Sequence, residues 1–332
     1  MMAVENVVPL APGLIDFSLL THAGRVRPLN EDAIGADPAL GLFILADGLG
    51  GYNAGEIAST MAVSSLLAEL SQAFEDARAS GDLFDPARVL RDTLVMMNVN
   101  IFRAALNSTA FEGMATTLVV AWLLGDTLWV AHTGDSRLYR YRKGELEQLT
   151  RDHSFSQELL DAGMVTEEEA RMLPAKNLVT RALGASPDIE PEVNPFDALP
   201  GDLLLLCSDG LTEMVTHYEI GGLMSTHENG LDDVARRLVD LANEAGGRDN
   251  VSVVLVRVGD VKGDNADRQR SDGFADESVA EDPPVGEIGS ETPSGTIHTA
   301  GGEVPTPTGG GSAAGPSASD SLAMPGAAGR IP

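Results

Sequence analysis

The sequence predicts an α+β layered sandwich with largely antiparallel sheets. Two observations carry this. Strand-sized apolar runs bounded by Gly, Asp or Asn recur along the chain. Two long helical patterns also follow one another between the runs at 40–46 and 117–123, and the strands after them come without helices in between. A regular β-α-β alternation, the mark of a parallel sheet, is missing.

In chain order, residues 15–20 form the first expected strand, and Glu31 and Asp32 precede a short extended segment. The run "GLFIL" in 40–46 stops at Asp47 and a glycine-rich stretch. Residues 54–70 and 86–106 carry apolar faces at helical spacing, as does 230–244. Strands are expected at 117–123, 127–132, 136–141, 203–208 and 251–258. Between them, "SFSQELLDAGMV" and "TEEEARML" read as short helices, the second opened by Thr166 as cap with Glu167, Glu168 and Glu169 in its first turn. After Val261 large apolar residues almost vanish. Residues 263–332 carry 11 acidic and 3 basic side chains among Gly, Pro, Ser and Thr. Such a segment cannot offset its chain entropy by burial, so 1–262 is the expected domain and 263–332 a disordered tail.

Charge narrows the partners. The 332 residues carry a formal −28, of which −20 falls on 1–262. Nucleic acid, which needs a basic footprint, is excluded. The longest apolar runs are strand-sized, so no membrane span is expected. One cysteine, Cys207, permits no internal disulfide, and "MMAVENVVPLAPG" does not read as a signal peptide, so a cytoplasmic protein is expected.

Acidic residues sit where strands begin or end: Glu31 and Asp32 in "NED", Asp47 and Asp209 in two Asp-Gly pairs, and Asp249 in "GRDN". A single Asp-Gly is first of all a turn dipeptide. Two at strand ends, joined by "NED" and "GRDN", instead suggest a cluster of oxygen ligands, with the Gly48 carbonyl as a neutral addition. With no thiolate pair and no spaced His pair, such a cluster suits Mg²⁺ or Mn²⁺. Other phosphate chemistry lacks its parts. "GLGGYNAG" lacks the Gly-Lys-Ser/Thr ending of a P-loop, Cys207 has no arginine six positions on, and no Gly-x-Ser-x-Gly elbow occurs. Metal-activated water is the nucleophile left.

The segments "GRVRPLNEDA", "FILADGLGGYNAGEIAS", "GMATTLVVA", "VAHTGDSRLYR", "QLTRDHS", "LVTRALG", "LLLLCSDGLT" and "GGRDNVSVVLV" occur in that order. Together they resemble the bacterial branch of the metal-dependent serine/threonine protein phosphatases, type 2C, over roughly 12–258. The resemblance implies a four-layer α-β-β-α sandwich: two central, mainly antiparallel β-sheets flanked by helices, with two metals in a cleft at one end. It implies that Asp47 bridges both ions, that Gly48 gives its carbonyl to one, and that Asp209 and Asp249 bind the other. Glu31 and Asp32 would act through metal-held waters, Arg27 would hold the substrate phosphate, and Asp135 in "GDSR" would help to bind a third ion. Leu49 stands where many eukaryotic members carry a histidine, leaving a third-metal water, His132 or His153 as candidate proton donors. Residues 152–184 correspond to the flap beside the family's site. The implied substrates are proteins phosphorylated on Ser or Thr, with a cognate kinase as partner. A non-catalytic relative that binds a phosphoprotein or kinase is the competing reading, and the intact Asp47, Asp209 and Asp249 count against it.

Overall fold

Alternation along the central strands sorts apolar side chains into three cores. A computed structural model describes residues 15–51, 53–259 and 296–299. Its strands are β1 (Ile15–His22), β2 (Asp32–Asp37), β3 (Leu42–Leu49), β4 (Ala115–Thr116), β5 (Leu118–Leu124), β6 (Thr127–Thr133), β7 (Arg137–Arg142), β8 (Glu145–Gln148), β9 (Glu192–Asp197), β10 (Leu203–Cys207), β11 (Val251–Val258) and β12 (Thr296–Thr299). The helices are α1 (Ala54–Ser80), α2 (Pro86–Leu106), α3 (Phe155–Asp161), α4 (Glu167–Met172), α5 (Asp209–Thr212), α6 (His217–Met224) and α7 (Leu231–Glu244).

Two antiparallel sheets result. One runs β1-β11-β10-β7-β8, the other β12-β2-β3-β5-β6-β9 with β4 beside β3. On β3, Leu42, Ile44 and Ala46 join the core under α1 and α2. Phe43 and Leu45 point the other way, into the core between the sheets. On β10, Leu204 and Leu206 enter that same central core, while Leu203, Leu205 and Cys207 pack under α6 and α7. Because both faces are covered, these strands are apolar throughout rather than alternating. The layers are α-β-β-α, as the sequence led us to expect. Cys207 is a buried core residue whose thiol is pushed up to about 12, chiefly by burial.

Helix ends follow local chemistry. Asp85 caps α2 ahead of Pro86, its side chain accepting from the Arg88 amide at 3.1 Å. Thr166 and Glu169 form the capping box of α4, and Thr216 and Glu219 that of α6. Helix α1 runs to Ser80, ten residues beyond the expected end, and stops at Gly81, which takes a left-handed conformation.

Several expectations change at the edges. β8 and β9 were not anticipated as strands, nor α5 and α6 as helices. β9 holds Pro195, which an edge strand tolerates because one side of its backbone needs no partner. Most of the expected tail lies outside the described residues. Within it, Thr296–Thr299 form β12, antiparallel to β2. β2 is otherwise unpaired on that side, and Thr-Ile-His-Thr is rich in β-branched residues that suit a strand.

Candidate metal centre

Of the expected site residues, Asp32, Asp135, Asp209 and Asp249 lie close enough to Asp47 for their charges to act on it. Asp47 does not end its strand: β3 continues through Gly48 and Leu49, which pair with β4. Thr117 Oγ1 accepts the Asp47 N–H at 3.0 Å, and the Asp47 carbonyl accepts from the Thr117 amide and the Thr116 hydroxyl, each at 2.8 Å. The two threonines of "GMATT" thus hold the backbone of Asp47 rigidly. Asp209 follows β10 by two residues and opens the one-turn helix α5. Asp249 precedes β11 by two residues, as expected.

Asp32 lies at the start of β2, buried, in register with Asp47. Its Oδ2 accepts from Ser252 Oγ at 2.6 Å and Ser208 Oγ at 2.9 Å. Its Oδ1 is buried without a hydrogen-bond partner, as is Glu31 Oε1. Close packing surrounds these groups. A Cβ on Gly48 would overlap the Gly55 carbonyl, and one on Gly55 would lie 2.6 Å from Glu31 Oε1.

The electrostatics record the convergence. Asp47 is pushed well above the usual carboxylate range, first by burial and then by the charges of Asp32, Asp209, Asp135 and Asp249. Asp209 is raised likewise by burial, then by Asp135, Glu213, Asp249 and Asp32. Asp32 rises to about 6, mainly through burial against the opposing hydrogen bonds of the two serines. Asp135 rises to about 7 through burial and then Asp152. Buried and half-buried carboxylates, two of them (Asp32 and Glu31) with a buried unpartnered oxygen and none accompanied by a thiolate or imidazole, fit hard divalent cations, which would supply the missing counter-charge.

Arg27 sits on the exposed loop before β2, and its Nη2 donates to Asp249 Oδ2 at 2.6 Å. Asn250 holds that loop in place. Its Nδ2 donates to the carbonyls of Leu29 (2.8 Å) and Ala23 (3.0 Å), and its Oδ1 accepts the Glu31 amide at 2.8 Å. Sequence reasoning missed Asn250, Ser208, Ser252, Thr116 and Thr117, although each lies within two residues of a ligand candidate or inside a quoted motif. It also missed Glu213, half-buried beside Asp209, whose carboxyl is raised by burial. His132 and His153 are buried and bonded within the fold: His132 Nε2 bonds the Arg151 carbonyl, and both nitrogens of His153 are taken. Segment 152–184 is tied down at both ends. The His153 amide donates to the Gly134 carbonyl, and Leu183 exchanges two backbone bonds with Thr116.

Two antiparallel sheets flanked by helices, with acids gathered around Asp47, fit a metal-dependent hydrolase. Residues 22–254 match the family described as protein phosphatase 2C, and the chain belongs to it. Protein phosphatase PhpP of Streptococcus pneumoniae is 39% identical over 249 residues, covering 73% of this chain and 97% of PhpP. The crystal structure of the Mycobacterium tuberculosis serine/threonine phosphatase PstP superposes with a TM-score of 0.67 at 36% identity, covering 74% of this chain and 99% of that one. A PstP catalytic domain in complex with two manganese ions gives 0.64 at 36% identity, with the same coverage. The chain is a protein-serine/threonine phosphatase, a phosphoric monoester hydrolase of the bacterial type.

Proposed function

We propose that the chain hydrolyses phosphoserine and phosphothreonine in proteins at a binuclear Mn²⁺ or Mg²⁺ centre, reversing the action of a serine/threonine kinase in the cytoplasm. The carrying observation is the convergence of carboxylates on Asp47 and Asp209, each raised by burial and then by neighbouring acids that include Asp32, Asp135 and Asp249, beside a buried Asp32 whose Oδ1 has no partner. Asp47 would bridge the two ions, with the Gly48 carbonyl on one and Asp209 and Asp249 on the other. Glu31 and Asp32 would orient ion-held waters, and Asp135 would serve a possible third ion. When bound, the ions supply an activated water and offset the charge of an incoming phosphomonoester.

The chain's own residues do the rest. Arg27 is the cation placed to exchange a carboxylate partner for phosphate oxygens, because its planar fork fits either. Asn250 holds the Arg27 loop and Glu31 in one frame with Asp249. The catalytic unit is residues 1–262. Among the described residues, no helix is long and apolar enough to cross a membrane.

The test is release of phosphate from a phosphothreonine peptide by the full chain, with Mn²⁺ and then with excess EDTA. Release that EDTA abolishes is the expected result. Calorimetric Mn²⁺ binding without release would replace this reading with that of a phosphoprotein-binding relative.

A further inference from the structure

His132, His153 and Glu192 form a group of three metal-capable side chains whose ligand atoms lie within 4.8 Å of one another. The hydrogen bonds argue against an ion there. A backbone amide can only donate, and the Gly134 N–H donates to His153 Nδ1 at 3.1 Å. That occupies the lone pair of the neutral ring, so its proton is on Nε2, 3.1 Å from Glu192 Oε1. An ion at Nε2 would force the proton onto Nδ1, against the Gly134 N–H. His132 gives its own Nε2–H to the Arg151 carbonyl at 2.9 Å, and its ring stacks on His153 with centroids 4.9 Å apart.

What remains is a strut. The His153 amide donates to the Gly134 carbonyl at 2.9 Å, so residues 134 and 153 are joined twice. The His153 carbonyl accepts the Thr180 amide at 2.9 Å, which draws in the far end of segment 152–184. Gly134 has φ +101° and packs against Thr117, the residue that holds the Asp47 amide. The next residue is Asp135. A continuous set of bonds therefore runs from Glu192 on β9, through His153 at the entry to the segment, to the turn that carries Asp135.

We infer that His153 and Glu192 are positioning residues: Glu192 accepts the Nε2–H that the Gly134 amide leaves on His153 and so holds the ring in place, and His153 holds the Gly134–Asp135 turn against segment 152–184 so that the Asp135 carboxylate stays aimed into the metal centre. This rests on the proposed role of Asp135. It assigns the buried histidines a task other than proton donation, and it makes the position of segment 152–184 felt at the metals.

The test uses the full chain. In metal-free protein, ¹⁵N NMR should show His153 as the Nε2–H tautomer. Glu192→Ala should disturb that signal and speed exchange of the Gly134 amide, whereas Glu192→Gln, whose amide oxygen still accepts, should not. An Nδ1–H tautomer, or unchanged exchange in Glu192→Ala, overturns the strut. With Mn²⁺ and phosphothreonine peptide, Glu192→Ala should lower kcat by about tenfold, raise the Mn²⁺ concentration for half-activity, and leave the peptide KM unchanged. In an Asp135→Asn background the same substitution should cost nothing further. An equal loss in both backgrounds overturns action through Asp135, and so does a fully active Asp135→Asn. Glu192 is half-exposed at a strand end, so these variants keep the fold if His153→Leu does not. Absence of any turnover in the wild type would count against the proposed function alone, because the tautomer and exchange measurements still decide the strut.

Discussion

Asp32 and Asp47 stand directly opposite each other on neighbouring strands, register partners across the β2–β3 ladder. Like charges in that position destabilise a sheet, and the burial of Asp32 limits the water that could screen them. The chain keeps the pair in place with two serine hydroxyls on one oxygen of Asp32 and two threonines on the backbone of Asp47. The geometry is thus retained at a cost in stability that a cation would offset. Asp47→Asn should raise the thermal midpoint of EDTA-treated protein by about 3 °C or more while abolishing Mn²⁺-dependent hydrolysis. Calorimetry beside the peptide assay checks both halves. A lowered midpoint would mean that the Asp47 carboxylate contributes net stability without metal.

The same carboxyls set the sign of the pH dependence in EDTA. Asp32 at about 6 and Asp135 at about 7 lie above their unfolded values of about 3.9. Between those limits the folded chain holds protons that the unfolded chain has released. Their contribution to stability is complete below pH about 4 and is lost as pH rises through the two folded values. The midpoint in EDTA should therefore fall between pH 5 and 8, and saturating Mn²⁺ should flatten the fall, since cations then replace protons as counter-charge. A midpoint that climbs over this range in EDTA would show that these carboxyls are not raised.

The frame of the fold was legible because its central strands are covered on both faces. Leu203 to Leu206 form an unbroken apolar run, and no reading of that run as a loop survives. The edges were hidden for the converse reason. β8 is Glu-Leu-Glu-Gln and β9 contains Pro195, so neither has the composition of a strand, and pairing with β7 and β6 makes them strands. The ligand candidates were legible from their repeated Asp-Gly pairs. Their supports were not. Ser208 and Ser252 reach Asp32 from 176 and 220 residues away, and only the pairing of β10 with β11 brings the two serines together. A short hydroxyl side chain has no period or charge to announce such a role.

Gly210 illustrates a constraint visible only in three dimensions. A Cβ there would overlap the backbone carbonyl of Asn250, which cannot swing away as a side chain could. Gly210→Ala should push α5 from β11, separate Asp209 from Asp249, and cost about 2 kcal/mol in chemical denaturation together with most of the activity. Gly222, in α6, has open space where its Cβ would lie. Gly222→Ala should be stabilising by about 0.5–1 kcal/mol and fully active. Equal effects at the two positions would refute the packing argument.

Arg27 separates substrate binding from metal binding. Its pair with Asp249 is half-exposed, with side-chain accessibilities of 49% and 32%, and exposed pairs contribute about 0–1 kcal/mol. Arg27→Ala should therefore leave the thermal midpoint nearly unchanged. It also removes a cation that competes for Asp249, so Mn²⁺ should bind at least as tightly by calorimetry. Hydrolysis should respond in the opposite direction, with KM for a phosphothreonine peptide raised and kcat/KM lowered by about 100-fold. Arg27→Lys restores the charge without the planar fork and should recover only part of that loss. Weaker Mn²⁺ binding in Arg27→Ala would mean that the guanidinium organises Asp249 for the metal rather than competing with it. Unaltered kcat and KM would remove Arg27 from the phosphate site.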